Sequence, residues 1–235
     1  MNKIVIIPTF NEIENIEKMI RKVFSLSEGF HILIVDDGSP DGTAEVVKKL
    51  QIEYPNELFL MERKGKQGLG TAYIAGFKWS IHKKYDYIFE MDADFSHNPD
   101  DLIKLYDSVQ KDGNDVSIGS RYIKSGKVEN WPLNRIFISY GASLYVRMIT
   151  FMPIKDCTAG FVCYKREVLE NIDLDKIRFI GYAFQIEMKY RAWRKGYKLK
   201  EVPITFVDRK EGHSKMTKGI VKEAIFGVWK MKFGV

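Results

Sequence analysis

Two aspartates one residue apart, Asp92 and Asp94, follow the apolar run Tyr87-Ile88-Phe89 within the stretch Glu90-Met91-Asp92-Ala93-Asp94-Phe95-Ser96-His97. If they close a strand, whose side chains alternate between faces, both carboxylates point the same way. Two convergent carboxylates at the carboxyl end of a sheet strand suit a hard, oxygen-seeking cation that bridges a diphosphate, as in a sugar-nucleotide transferase. The same pair could equally solvate a strand end and cap the helix that follows. Its meaning therefore depends on what surrounds it.

A second acidic segment, Asp36-Asp37-Gly38-Ser39-Pro40-Asp41-Gly42-Thr43, offers carboxylates as acceptors for ribose hydroxyls or a base N–H, with Gly38 and Gly42 allowing tight turns. Taken alone, it reads as well as an Asx-rich turn capping a helix that starts near Thr43. Neither segment is specific by itself. Their order along the chain is what gives them weight.

The elements that must position them are legible from periodicity. Apolar runs near residues 4–7, 30–35, 58–61, 87–91 and 115–119 are short and continuous, the pattern of strands buried on both faces of a parallel sheet. Ile13, Ile16, Ile20, Val23 and Phe24 line one face of a first helix, and Ala44, Val46, Val47 and Leu50 that of a second. Alternating strands and helices predict a doubly wound α/β fold, a mostly parallel Rossmann-like sheet flanked by helices in a single domain, with ligands at the carboxyl ends of the strands. Pro8-Thr9-Phe10-Asn11-Glu12 follows the first strand, the Asp36–Thr43 loop the second, and Asp92-Ala93-Asp94 the fourth. Past residue 120 the alternation weakens, with a helix expected over Leu133–Thr150, a strand around Gly160–Tyr164, a helix around Phe184–Lys195 and a single strand over Lys198–Val207.

Bulk properties narrow the classes. The 235 residues, 45% of them hydrophobic and 29% charged, suffice for one large domain with a real core and contain no low-complexity run. The apolar run that begins at Ile4 is too short for a signal peptide, and no 18 consecutive apolar residues mark a membrane span. Cys157 and Cys163, the only cysteines, are expected to be a reduced, buried pair. The net charge is +6, of which residues 207–235 carry +4, and a basic end favours an anionic partner.

Five segments, Pro8–Glu12, Val35–Thr43, Gly68-Leu69-Gly70-Thr71-Ala72, Met91–Asp94 and Gly119-Ser120-Arg121-Tyr122, resemble in order and spacing the family 2 glycosyltransferases of the GT-A fold. The pattern is most similar to the dolichyl-phosphate mannose synthase group (dolichol-phosphate mannosyltransferase, catalytic subunit). The closer match rests on Asp94-Phe95-Ser96-His97, Asp156–Phe161, Tyr182–Met188 and Arg209–Met216, and the resemblance covers the chain from Lys3 to Phe226. By resemblance, Pro8, Phe10, Glu12, Val35 and Asp37 would hold guanosine, while Asp92, Ala93 and Asp94 would face the diphosphate and a Mg²⁺ or Mn²⁺ ion. Ser96 stands where some relatives place a glutamine metal ligand, and a hydroxyl is a poorer donor. Arg121, Arg209 and Lys215 would meet the nucleotide-sugar phosphates, and Arg135 with Ser139 the acceptor phosphate. On residues alone, Arg135 reads as well as a solvated or ion-paired helix face.

The resemblance implies an inverting transfer of mannose from GDP-mannose to dolichyl or another polyprenyl phosphate, with Asp94, Arg121 and Arg135 as the catalytic set. A phosphate monoester whose second pKa is about 6 is largely dianionic at pH 7, so the acceptor needs no strong base, and His97 and His213 are read as structural. A glucosyltransferase of the same family, a catalytically silent subunit and a nucleotide- or nucleic-acid-binding module are the alternatives; the acidic loops and the lack of interleaved aromatic and basic residues count against nucleic acid. The expected organisation is a catalytic domain over residues 1–218, divided near residue 120 into nucleotide-sugar and acceptor halves, followed by an amphipathic interfacial helix at 219–235. Ile220, Val221, Ala224, Ile225, Val228 and Trp229 would form that helix's apolar face. Peripheral binding to the cytoplasmic face of a membrane, aided by a small membrane-embedded partner as in relatives without spans, completes the expectation.

Overall fold

A computed structural model describes residues 2–181, 183–208 and 227–234. The first half of the chain runs β1 (Lys3–Thr9), α1 (Ile16–Phe24), β2 (His31–Asp36), α2 (Thr43–Glu53), β3 (Leu58–Glu62), α3 (Leu69–His82), β4 (Tyr87–Glu90), α4 (Asp101–Gln110) and β5 (Val116–Ser120). It continues through β6 (Lys127–Glu129), α5 (Leu133–Thr150), β7 (Val162–Lys165), α6 (Arg166–Asn171), α7 (Ala183–Arg194), β8 (Leu199–Pro203) and β9 (Thr205–Val207), with a last helical segment, α8, at residues 227–234.

Seven strands form one sheet in the order β3-β2-β1-β4-β7-β5-β8, parallel throughout except for β7, which runs antiparallel to both β4 and β5. Strand alternation sends Ile4, Ile6, Leu33 and Val35 into a core with α3, α6 and α7, while Val5, Ile7, Ile32 and Ile34 pack on α1, α2 and α4. Both faces are covered, as the continuous apolar runs predict, and the fold is a single doubly wound α/β domain. The order reverses at β1, which lies between β2 and β4, so the crevice outside the carboxyl ends of these strands is where a ligand belongs.

Two expectations change. The single strand expected over Lys198–Val207 is two: β8 joins the main sheet and β9 pairs with β6 in a separate two-stranded sheet. Pro203 has no N–H to continue the ladder, and at Ile204 the chain crosses over, its N–H donating to Ser120 O and its carbonyl accepting from Lys127 N. The strand expected to carry the paired aspartates ends at Glu90, so Asp92 and Asp94 lie in the loop beyond it and are placed by that loop rather than by strand alternation. Among the described residues no helix is long and apolar enough to cross a membrane, and Cys157 and Cys163 are both free and buried.

Candidate active site

The first two loops are welded together from inside. Asp36 is buried, and its carboxylate accepts hydrogen bonds from Thr9 Oγ1 (2.8 Å), Ser39 Oγ (2.6 Å) and the Ser39 N–H (2.8 Å). Ser39 Oγ in turn accepts from the N–H of Asn11, a residue at φ 57°. Asp36 thus shapes the rim and Asp37 faces the next strand: Arg63 Nε donates to Asp37 Oδ1 at 2.6 Å, and Arg63 Nη1 donates to Thr71 Oγ1 at 3.0 Å. Gly38 sits at φ 71°, where a Cβ would come within 3.1 Å of Gly65 N, so the turn needs glycine for both conformation and space. Arg63 escaped sequence reasoning, although its place one residue past β3 puts it on the same rim as the other loops.

Of the residues expected to hold a nucleoside, Pro8, Phe10 and Glu12 are partly exposed at the end of β1, with Lys66 Nζ 5.3 Å from the Phe10 ring centre. Val35 is fully buried in the core, which leaves only its main chain to meet a ligand.

Beyond β4 the acidic loop is fixed at several points. Asp92 is partly exposed, whereas Asp94, Ser96 and His97 are buried. The Ser96 N–H donates to Asp94 Oδ1 at 3.0 Å, and the Asp92 N–H donates to His97 Nδ1 at 3.3 Å. Burial pushes the His97 imidazole down to about 4, so at neutral pH it is an uncharged acceptor stacked on Phe161 with ring centres 4.8 Å apart. That agrees with its reading as a structural residue. Behind the loop, Glu90 is fully buried, accepts from Gln185 Nε2 at 2.7 Å, and is pushed by burial up to about 8. Lys189 Nζ donates to the carbonyls of Ala159 and Gln185, tying α7 to the segment before β7, and burial brings its ammonium down to about 8.

Two carboxylates and one hydroxyl are too few to enclose a cation; among the described residues no cluster of three or more His, Cys, Asp or Glu side chains could do so. They do fit a hard divalent ion that keeps waters and takes its remaining oxygens from substrate phosphates, the usual habit of Mg²⁺.

Arg121, just past β5, is clamped. Its Nε and Nη2 donate to Asp156 Oδ2 and Oδ1, both at 2.7 Å, its N–H donates to Oδ2 at 2.9 Å, and Nη2 also reaches Thr158 Oγ1 at 2.9 Å. Tyr122, Trp131 and Phe206 surround the guanidinium at 5.1–5.5 Å. Glu201 accepts from Ser120 Oγ and from the N–H groups of Lys155 and Asp156, holding the partner loop in turn.

Arg135, in the first turn of α5, stacks 3.9 Å from the Trp131 ring centre and donates to Asp208 Oδ1 at 3.0 Å. Ser139, one turn on, lies beside the Tyr122 hydroxyl. The acidic loop and this arginine are close neighbours through β9. The Val207 N–H donates to Ser96 O, and the next residue is Asp208, the partner of Arg135. Arg209 and Lys215, and the expected apolar positions 220–225, lie outside the described residues. In α8, Val228 and Met231 are buried in the main core, while Trp229 and Phe233 are exposed.

The family model for glycosyl transferase family 2 matches residues 4–173. Among curated relatives, a polyprenol monophosphomannose synthase from Mycolicibacterium smegmatis is 46% identical over 225 residues, covering 96% of this chain and 84% of its own. An undecaprenyl-phosphate mannosyltransferase from Micrococcus luteus is 43% identical over 228 residues, covering 97% and 93%. Solved structures agree in fold. Glucosyl-3-phosphoglycerate synthase from Mycobacterium tuberculosis, in complex with Mn²⁺, UDP and glucosyl-3-phosphoglycerate, superimposes with a TM-score of 0.70 at 15% identity, over all of this chain and 80% of the other. The mannosyltransferase PcManGT from Pyrobaculum calidifontis, in complex with GDP-Man and Mn²⁺, gives 0.62 at 17% identity, over 91% and 58%.

Proposed function

The chain belongs to glycosyl transferase family 2, and from that premise we propose that it is an inverting, divalent-metal-dependent mannosyltransferase that moves mannose from GDP-mannose to a polyprenyl phosphate of the dolichyl or undecaprenyl kind. The observation that carries the reading is the join across β9: Ser96, beside the two aspartates, is bonded to Val207, and Asp208 next to it holds Arg135. The residues assigned to the diphosphate and the arginine assigned to the acceptor phosphate thus belong to adjoining segments, which supports a transfer between two phosphates.

In this reading the guanosine lies against Pro8, Phe10, Glu12 and Asp37 at the ends of β1 and β2. Asp92 and Asp94, with Ser96 beside them, would hold Mg²⁺ or Mn²⁺, which when bound neutralises charge building on the leaving diphosphate. Arg209 and Lys215 meet the donor phosphates from the chain beyond β9. Arg121 acts from its clamp at the edge of the same site. Arg135 and Ser139 hold the acceptor phosphate, whose dianion attacks the anomeric carbon directly and inverts it, giving a β-mannosyl phosphate. The protein works as a peripheral component at the cytoplasmic face of a membrane, alone or with a small membrane-embedded subunit.

The test is to offer the purified chain labelled GDP-mannose, GDP-glucose and UDP-glucose with a polyprenyl phosphate, with and without Mn²⁺, and to follow label into the organic phase. Label from GDP-mannose alone, and only with metal, is expected. Label from either glucose donor overturns the mannose assignment.

Arg135→Ala is expected to raise the KM for the lipid phosphate with GDP affinity nearly unchanged, because the guanosine residues lie at β1 and β2 rather than on α5. Losing a charge-assisted contact should cost roughly 1.5–3 kcal/mol, or about ten- to a hundredfold in acceptor affinity. Calorimetry that finds a comparable loss of GDP affinity would move Arg135 to the donor side.

A further inference from the structure

One indole ring neighbours both arginines of the site. The guanidinium carbon of Arg135 lies 3.9 Å from the Trp131 ring centre and that of Arg121 lies 5.5 Å from it. The ring is itself set on the frame: Phe206, opposite Val128 in the β6–β9 pair, meets it edge to face with centres 5.2 Å apart. The chain enters Trp131 through Asn130, a non-glycine residue at φ 64°, and leaves it through Pro132, the N-cap of α5, so Trp131 and Arg135 stand four residues apart across a helix start. Trp131 Nε1 is buried and, among the described residues, has no hydrogen-bond partner. A buried indole N–H ordinarily finds one, so this ring is kept for its faces and edges and not for its polar tip.

We propose that Trp131 is a positioning residue for the acceptor phosphate: its ring is the platform that fixes the Arg135 guanidinium, and through it the phosphate, beside Arg121 and the donor. The proposal rests on the assignment of Arg135 to the acceptor phosphate in the proposed function. The two arginines depend on the ring unequally. Arg121 is only 8% exposed and is gripped from two nitrogens by Asp156 and from one of them by Thr158, so it keeps its place without the indole. Arg135 is 31% exposed, and its carboxylate partner Asp208 is 28% exposed. A part-exposed ion pair of this kind fixes a long side chain weakly, so the close contact with the indole decides where the Arg135 fork points. Both supports of Arg135 rest on β9: Asp208 follows that strand directly, and Trp131 leans on Phe206 within it. The same strand is bonded to Ser96 of the acidic loop through Val207, so the platform places the acceptor arginine against the frame that also carries the donor side.

The test is a double-mutant cycle on the full chain, with geranyl phosphate as a water-soluble acceptor and affinities read by calorimetry. Trp131→Leu is expected to weaken geranyl phosphate about tenfold with GDP affinity within about twofold of wild type, and Trp131→Phe, which keeps a ring face, to stay within about threefold for both. Because Trp131 acts through Arg135, Arg135→Ala/Trp131→Leu should bind geranyl phosphate no more weakly than Arg135→Ala alone. Losses that add, a phenylalanine variant as weak as the leucine one, or an equal loss of GDP affinity overturns the proposal. Should Trp131→Leu not fold, tryptophan emission supplies the second readout. Geranyl phosphate is expected to change the emission of wild-type protein, since it draws on the cation that lies against the ring, and Trp131→Phe is expected to lose that change. A change that Trp131→Phe retains, or none in wild-type protein that binds the phosphate, overturns the proposal, and so does wild-type protein that binds no geranyl phosphate. Wild-type protein that shows the coupling but transfers mannose to no acceptor refutes the proposed function and leaves the platform standing. Transfer with additive losses does the reverse.

Discussion

Asp94→Asn is expected to lower mannosyl transfer by on the order of 10²-fold or more while leaving the melting temperature within a few degrees of wild type. Asp94 is buried, so the substitution needs a reason not to disturb the loop, and the geometry supplies one. The Ser96 N–H donates to Asp94 Oδ1 at 3.0 Å, a bond that an amide oxygen in the same place accepts as well. What asparagine removes is the negative charge, and a hard cation bound through few protein oxygens depends on charge more than on shape. Asp92, partly exposed and anchored through its own N–H to His97, provides the companion variant, and Asp92→Asn should be impaired in the same sense. Metal titrations decide between roles. Asp94→Asn should need more Mn²⁺ for half-maximal rate, and wild-type protein in excess chelator should be inactive. Full turnover by Asp94→Asn, or by chelated wild type, would sink the assignment of these carboxylates to a metal.

Much of this site is visible in the chain because its elements are local. Ile4–Ile7 and Ile32–Val35 read as strands buried on both faces, and the structure sends alternate residues to opposite cores. The loops after β1, β2 and β4 then had to share a rim, since parallel strands carry their carboxyl ends together. What stayed hidden depends on distant partners. The register of β7, antiparallel between β4 and β5, is a tertiary choice with no local signal, and it is this insertion that brings the Asp156–Phe161 segment against Arg121. The same holds for the box of Trp131 and Phe206, whose members belong to segments joined only by pairing of β6 with β9. Helix α5 was found with its boundaries, yet periodicity could not tell its core side from its outer side, because Val146 faces inward while Phe137 and Leu144 face out. Arg63 was missed for a plainer reason: it lies outside the Gly68–Ala72 segment that marks its loop, and a single arginine one residue past a strand carries no signature of its own.

Asp156→Asn should be the most destabilising single change at this site. Asp156 is fully buried, and Arg121, whose side chain is only 8% exposed, directs three donors to its carboxylate: the backbone N–H, Nε and Nη2. The fork-on-fork pairing satisfies a guanidinium that has little access to water. Asparagine keeps one acceptor oxygen but turns an N–H₂ toward the other donor and removes the carboxylate charge that faces the buried guanidinium. Breaking a buried pair from one side typically costs about 3–5 kcal/mol, a large share of the stability of an ordinary domain. Thr158→Val removes a neutral partner of the same Nη2 and should cost only about 1 kcal/mol, so the two variants separate loss of charge from loss of a hydrogen bond. Chemical denaturation of both, read at equal m-value, makes the comparison. If Asp156→Asn costs no more than Thr158→Val, Arg121 is not held by its ion pair. The aromatic box of Tyr122, Trp131 and Phe206 would then be what keeps it in place.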